Sequence, residues 1–459
     1  MFKAHFWIGR FSAMAKTMPF RGVLYNPDKI QDLKDVVTPP YDVISERQRR
    51  AYFERHPQNV IRLILSKERP DDTEKNNRYT RAGEFFRSWL DAGILKQDVE
   101  PALYVTEMDF SNEDEVRTRL GFVVLVRLED FGRGGILPHE KTFSATKADR
   151  LKLMEACEAN FSPIFSLFAD PDEEVMGLLR ACTERVEPDI DFREVIGYRH
   201  RLWRVTDRQI HRQVSEKMAA RCLFIADGHH RYETALNYKN QIMSRIMSQN
   251  GTFDSEAPCN YVMMYLTSMQ DRGMIIRSVH RLLSKVPQNA MDGFVKKAKD
   301  FFDVEVLNAQ AGNYDDARTT LISKIRAGAD QGVMGAVVRN HDPLYFLRAK
   351  EGIMDRLFEG DISAPLRKLD VKIATKLVIQ KVLEFDKAAL DDEKRISYTS
   401  RAPKAFKAVK EGKCDVALIL NPTRLSDVEE ISRAGLVMPK KSTYFFPKVV
   451  SGLVINKLD

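Results

Sequence analysis

The sequence predicts a mixed α/β protein with a second, C-terminal α/β lobe. Short apolar, β-branched runs alternate along the chain with stretches whose apolar residues recur at helical spacing. Hydrophobic residues at 44% and charged residues at 30% strike the balance of an ordinary globular protein. A length of 459 residues allows two or three domains with cores of their own. Beyond about residue 285 histidines thin out and lysines increase. The expected organisation is an N-terminal extension over residues 1–17, a motif-bearing α/β domain over 18–285, and a lobe over 286–459 that contributes a basic, aromatic loop.

Each element has a local reason. TPPYDVI, residues 38–44, is a stiff extended turn, because adjacent prolines fix φ, lack N–H donors and disfavour helix in the residue before them. Ser45 is placed to cap the helix that follows, with Arg47, Gln48 and Glu54 outward and Tyr52 and Phe53 inward. Residues 72–93 read as an amphipathic helix stopping at Gly93, a residue suited to a left-handed terminus. Residues 102–109 and 117–128 are strands joined through SNEDE. The glycine-rich loop EDFGRGGILPHEKTF leads to a helix over 147–159, and Ser162-Pro163 closes it before the strand IFSLF. Residues 172–185 read as helix and 198–205 as strand. A strand over 222–226 runs into a helix over 232–247, whose stripe is Tyr232, Ala235, Leu236, Ile242, Met243 and Ile246. Residues 261–267, 335–338, 344–348 and 416–420 are further strands.

Composition narrows the function classes. No apolar run reaches the roughly 18 residues that span a bilayer, and the opening MFKAHFWIGRFSAMAK lacks the uninterrupted apolar core of about 7–15 residues that export signals need. The net charge of +7, from 72 basic and 65 acidic residues, suits a phosphorylated ligand. Basic runs are short, which argues against a dedicated nucleic-acid binder. The five cysteines are scattered, with no CxxC pair, so neither a disulfide framework nor a thiolate zinc site is indicated. A cytoplasmic protein is expected. The P-loop, the GxGxxG turn and the GxSxG elbow are all missing, which removes the common nucleotide and hydrolase readings.

The chemistry concentrates in four motifs. In ADGHHR, residues 226–231, consecutive amides at a helix start can converge on an anion, and the helix dipole adds positive charge there. Gly228 permits close backbone approach, Arg231 offers a planar fork for phosphate, and His229 and His230 can donate to phosphate oxygens or move a proton. Asp227 has three readings: a magnesium ligand, a general base, or the helix N-cap. In LPHEKTF, residues 137–143, His139 and Glu140 are candidate catalytic groups, Glu140 also a candidate metal ligand, and Lys141 a phosphate clamp. In MPKKSTYFFPK, residues 438–448, Lys441, Ser442 and Thr443 offer charge and hydroxyl donors for an anion, and Lys440 and Lys448 extend its basic character. TPPYDVI adds Tyr41 and Asp42 on a stiff loop.

Taken in chain order, TPPYDVI, LPHEKTF, ADGHHRYETAL and MPKKSTYFFPK resemble a widespread bacterial and archaeal family of uncharacterised proteins, from about residue 18 to 453. The DGHHR turn is also similar to the phosphate-binding turn of the ParB/sulfiredoxin superfamily, which includes free-serine kinases and nucleotide-hydrolysing partition proteins. That resemblance implies a ParB/sulfiredoxin-like mixed-sheet core. It carries over to Asp227, Gly228, His229, His230 and Arg231 alone. It implies a phosphoryl-transfer enzyme acting on a small hydroxyl metabolite, such as a free serine kinase or a phosphoserine phosphatase. Its partners would be Mg2+ and ATP, ADP or another phosphate donor. The alternative is a nucleotide-binding regulatory protein of the partition type. A sulfiredoxin-like activity would need a cysteine in the turn, and residues 227–231 contain none.

Overall fold

The computed structural model describes residues 15–113, 115–132, 134–308 and 313–458. The expected extension over 1–17 lies outside them apart from its last three residues, of which Thr17 starts the first strand, Thr17–Met18. The chain is mixed α/β and forms two compact units, Met1–Met274 with Pro447–Asp459, and Ile275–Phe446.

The first unit is built on a nine-stranded sheet. Its strands run in the order Ile136–Leu137, Leu223–Asp227, Ile164–Phe168, Tyr261–Ser268, Glu115–Arg127, Leu103–Asn112, Arg199–Val205 and Ile190–Arg193, with Thr17–Met18 pairing onto Glu115–Arg127. Leu223–Asp227 pairs parallel with Ile136–Leu137 and antiparallel with Ile164–Phe168, which is parallel to Tyr261–Ser268, so the sheet is mixed. Side chains alternate between its faces. Leu103, Val105, Leu120, Phe122, Val124 and Leu266 point into one core. Tyr104, Thr106, Met108, Arg119 and Val123 occupy the opposite face. A second core around Val60, Ile61, Phe86, Trp89 and Phe161 includes Ile455. The C-terminal segment is stitched to this unit by backbone pairing of Ser451 with Thr38, Ile455 with Val23, and Asn456–Lys457 with Ala159–Asn160.

Local signals set several boundaries. Ser45 caps Glu46–Arg55 in a reciprocal capping box with Gln48. The helix expected from residue 72 spans Arg78–Asp91, because Asn77 accepts hydrogen bonds from the amides of Tyr79 and Thr80. Gly93 follows it at φ 66. The helix expected from residue 232 begins three residues earlier, as His229–Ser248, because Gly228 at φ 97 and ψ 25 turns the chain directly out of the strand. Arg208–Ala219 was not anticipated; its buried stripe is only Val214 and Met218, too thin to stand out among its charges.

The second unit carries a six-stranded sheet in the order Phe302–Leu307, Leu344–Ala349, Val333–Val338, Val416–Leu420, His280–Leu283 and Ile396–Thr399. Every pairing in it is antiparallel. Helices Tyr314–Ala327 and Ala402–Lys410 bury Leu321, Ile325, Phe406 and Val409 against one face.

Candidate functional site

The strand Leu223–Asp227 ends in a register shift between Ile225 and Asp227, where the partner strand advances only from Ser166 to Phe165. Such a bulge re-aims the side chain at a strand's end. Asp227 is only 9% exposed, so its charge needs compensation inside the protein. Arg231, one turn along the helix, donates from Nη2 to Oδ2 at 2.5 Å. Lys448 donates from Nζ to Oδ1. Burial would raise the carboxyl pKa, and the Lys448 and Arg231 charges outweigh it and hold it at about 2.

These contacts revise three expectations. Asp227 is not the helix cap: Gly228 occupies the cap position and no side chain caps that end. Asp227 does not fit as a magnesium ligand either, because both oxygens are already bound by cations. Arg231 does not present an open fork to phosphate, since its other terminal nitrogen donates to the carbonyl of Pro163. An added Cβ at Gly228 would meet the Arg231 guanidinium at 2.9 Å, so glycine there serves both the left-handed turn and this ion pair.

LPHEKTF lies directly over the helix start. The His139 amide donates to His229 Nε2 at 3.2 Å, and the Phe143 amide donates to His230 Nε2 at 3.0 Å. In the neutral rings these bonds put the proton on Nδ1. His229 Nδ1 lies 4.0 Å from Glu140 Oε2, beyond hydrogen-bond reach. His139 packs edge-on against His229, centroids 4.7 Å apart, and Phe143 stacks on His230 at 5.9 Å. His139 is fully buried, and desolvation pushes its pKa down to about 4. Burial, with His139 adding, depresses His229 well below the usual imidazole range. Both are neutral at pH 7 and form a layer behind the surface rather than a contact surface. Glu140 and His230 are partly exposed and Lys141 is exposed. Glu233, one turn beyond His229, accepts at 2.7 Å from Thr142 Oγ1 and at 2.5 Å from Lys147 Nζ.

TPPYDVI joins the same region. Tyr41 lies under the Arg150 guanidinium, 4.2 Å from its ring centroid. Tyr41, Arg150, Asn160, Ser162 and Arg231 line a small cleft open to solvent. Arg150 was not flagged by the sequence, since an arginine on a polar helix carries no signal of its own.

MPKKSTYFFPK divides between the units. Lys448 belongs to the first and reaches Asp227; it was legible as part of a basic motif but not as a member of this pair. Lys441, Ser442 and Thr443 belong to the second unit. There Ser442 Oγ donates to Pro439 O at 2.6 Å and Thr423 Oγ1 donates to Ser442 O at 2.7 Å. Arg281 Nη2 donates to Lys441 O at 3.0 Å, and Lys441 itself has φ 56. Ser442 and Thr443 are buried, so the Ser442 hydroxyl shapes the loop instead of offering itself to an anion.

Among the described residues no group of three or more His, Cys, Asp or Glu side chains is placed to hold a metal ion. Magnesium is usually held by one or two carboxylates together with substrate phosphates, and Glu140 is the carboxylate of this site that would serve. No helix among the described residues is long and apolar enough to cross a membrane.

Residues 17–372 match the family model described as a protein of unknown function, DUF1015, and the chain belongs to that family. No curated protein matches it. Solved structures similar to it include a free serine kinase in complex with AMP, at 11% identity and TM-score 0.31, covering 70% of this chain and 86% of that one. A conserved hypothetical protein from Pyrococcus furiosus matches at 11% identity and TM-score 0.30, over 73% and 95% of the respective chains. SbnI with a C-terminal truncation, from Staphylococcus aureus, matches at 10% identity and TM-score 0.33, over 71% and 84%. TM-scores this low do not establish a shared fold.

Proposed function

We propose that the start of His229–Ser248 holds a phosphate and that the surrounding residues transfer a phosphoryl group to or from the hydroxyl of a small metabolite. The observation that carries this reading is the gathering of all four motifs, through Tyr41, Glu140, His230 and Lys448, around one glycine-led helix N-terminus in the first unit. A helix of this length presents unpaired amides and a partial positive charge at that end, which favours an oxyanion. His230 Nδ1 and Lys141 add donors at the mouth of the turn.

Glu140 is the base for the substrate hydroxyl or for an attacking water. It lies 4.0 Å from Nδ1 of the neutral His229, whose ring is held by the His139 amide. Asp227 acts as an anchor that fixes Arg231 and Lys448, so their positive potential faces the phosphate without either being withdrawn from its pair. Phosphoryl transfer asks chiefly for positioning and charge stabilisation, and this residue set offers both. A magnesium ion, carried by phosphates and Glu140, would supply additional neutralisation of developing charge. The cleft beside Tyr41 and Arg231 is where the metabolite would sit, and ATP, ADP or pyrophosphate are candidate donors. Serine and phosphoserine are the first substrates to try, because the 227–231 turn resembles that of the free-serine kinases.

The test is to incubate the purified protein with serine or phosphoserine, magnesium and ATP, ADP or pyrophosphate, and to follow phosphate transfer by mass spectrometry. Transfer that falls at least about 100-fold in Glu140→Gln and His230→Ala supports the assignment. Transfer untouched in both removes these residues from the mechanism. Phosphate or nucleotide binding with no transfer to any hydroxyl metabolite favours the regulatory reading instead.

A further inference from the structure

The segment 137–143 crosses the start of His229–Ser248, and its fastenings fall on one face of that helix. His229, His230 and Glu233 stand together there, because residues three and four apart are neighbours on a helix surface. Two fastenings use the backbone of the segment: the amides of His139 and Phe143 donate to His229 and His230. Any residue but proline could supply those amides. A further fastening uses side chains. Glu233 Oε2 accepts from the Thr142 hydroxyl at 2.7 Å and from Lys147 Nζ at 2.5 Å.

Lys147 completes the first turn of the helix Ser144–Cys157. A cation there opposes the helix dipole, which favours negative charge near an N-terminus. The cap position of the same helix is Phe143, with no side-chain cap bond. Local rules therefore do not fix this end of the helix; the Glu233 carboxylate, 86 positions further along the chain, holds it. The side chains of Glu233 and Lys147 are 23% and 25% exposed, so solvent screens the pair less than it screens a surface ion pair.

Glu140 and Lys141 sit between these fastenings, with His139 held over His229 on one side and Thr142 and Phe143 held on the other. Placement matters there, since a displacement of about 1 Å can cost about 100-fold in rate. We propose that Glu233 is a positioning residue, which latches the 137–143 strap through Thr142 and Lys147 and so sets Glu140 and Lys141 over the phosphate-binding turn. The part in catalysis rests on the phosphoryl-transfer reading above; the latch itself does not.

The test is amide hydrogen exchange of the full-length protein, read by mass spectrometry, alongside phosphate transfer with serine or phosphoserine. In Glu233→Gln, exchange over residues 138–143 should speed about tenfold or more, because charge-assisted bonds are lost. The strands Leu103–Asn112 and Tyr261–Ser268 should keep their protection. Thr142→Val should loosen the strap in the same way, and Thr142→Ser, which keeps the hydroxyl, should match wild type. In both loosened variants kcat should fall about tenfold or more while KM for the phosphate donor stays within about threefold, since the helix turn is untouched. Three results would each overturn the proposal: exchange over 138–143 unchanged in both variants, exchange speeded equally in the two strands, or a loosened strap with kcat intact. Loosening confined to 138–143, in a protein whose wild type transfers no phosphate, upholds the latch and refutes the transfer reading instead.

Discussion

Lys448→Met removes one of the two cations that compensate Asp227 and replaces it with an unbranched apolar chain. The carboxyl sits at about 2 against 3.8 for an unperturbed aspartate, and at about 1.36 kcal/mol per pKa unit that difference is roughly 2.4 kcal/mol of folded-state stabilisation. Removing one partner from a buried ion pair costs about 3–5 kcal/mol in general. Arg231 remains on Oδ2, so the expected loss is about 2–3 kcal/mol, below that range. The sign with pH follows from a folded pKa below the unfolded one. The pair's contribution is fully present above the unfolded value of 3.8 and is lost as pH falls through about 2. The stability gap between wild type and variant is therefore constant from neutral pH down to about 5, narrows below about 4 and closes near 2. The assay is urea denaturation followed by tryptophan fluorescence, because Trp89 and Trp203 both lie in the unit that contains the pair. Asp227→Asn should cost less in the Lys448→Met background than in wild type, a coupling of about 1 kcal/mol or more. A loss under about 0.5 kcal/mol, or no coupling, would refute the buried-pair account.

Three further outcomes are expected. Gly228→Ala, strained at φ 97 and crowding Arg231 at 2.9 Å, should destabilise the first unit by about 1–3 kcal/mol and weaken phosphate binding, measured by thermal denaturation with and without phosphate. His139 has a folded pKa of about 4 against 6.5, so the unfolded chain takes up its proton first and stability falls as pH drops from 6.5 towards 4. The slope should flatten in His139→Gln, measured as urea midpoints across that interval. Ser45→Ala, which breaks the capping box with Gln48, should cost about 1 kcal/mol and leave phosphate affinity unchanged.

The fold was legible wherever a local rule decides the outcome. Short apolar, β-branched runs marked the strands Leu103–Asn112 and Val416–Leu420. Ser45 began its helix through a hydroxyl cap and Gly93 ended one through its left-handed backbone. The ADGHHR turn stood where a strand meets a helix, and glycine is a residue that can take the left-handed step found there. Those properties live within a turn or two of chain, so the residues themselves determine them.

The partners of the charged groups were decided otherwise. Asp227 could have been a cap, a ligand or a base, and it became the anchor of an ion pair because a bulge turns it inward and Lys448, 221 positions away, returns to meet it. Arg231 gave its fork to that same carboxylate, and Ser442 spent its hydroxyl on its own loop. Arg119 carried no motif at all; only the cross-strand register buries it. A buried charge takes whichever counter-charge the topology delivers, and the topology of a mixed sheet is set by long-range pairing. The sequence by itself determined which residue types were available and where the helix turn lay. The tertiary structure alone decided which of them spend their charge on each other and which stay at the surface.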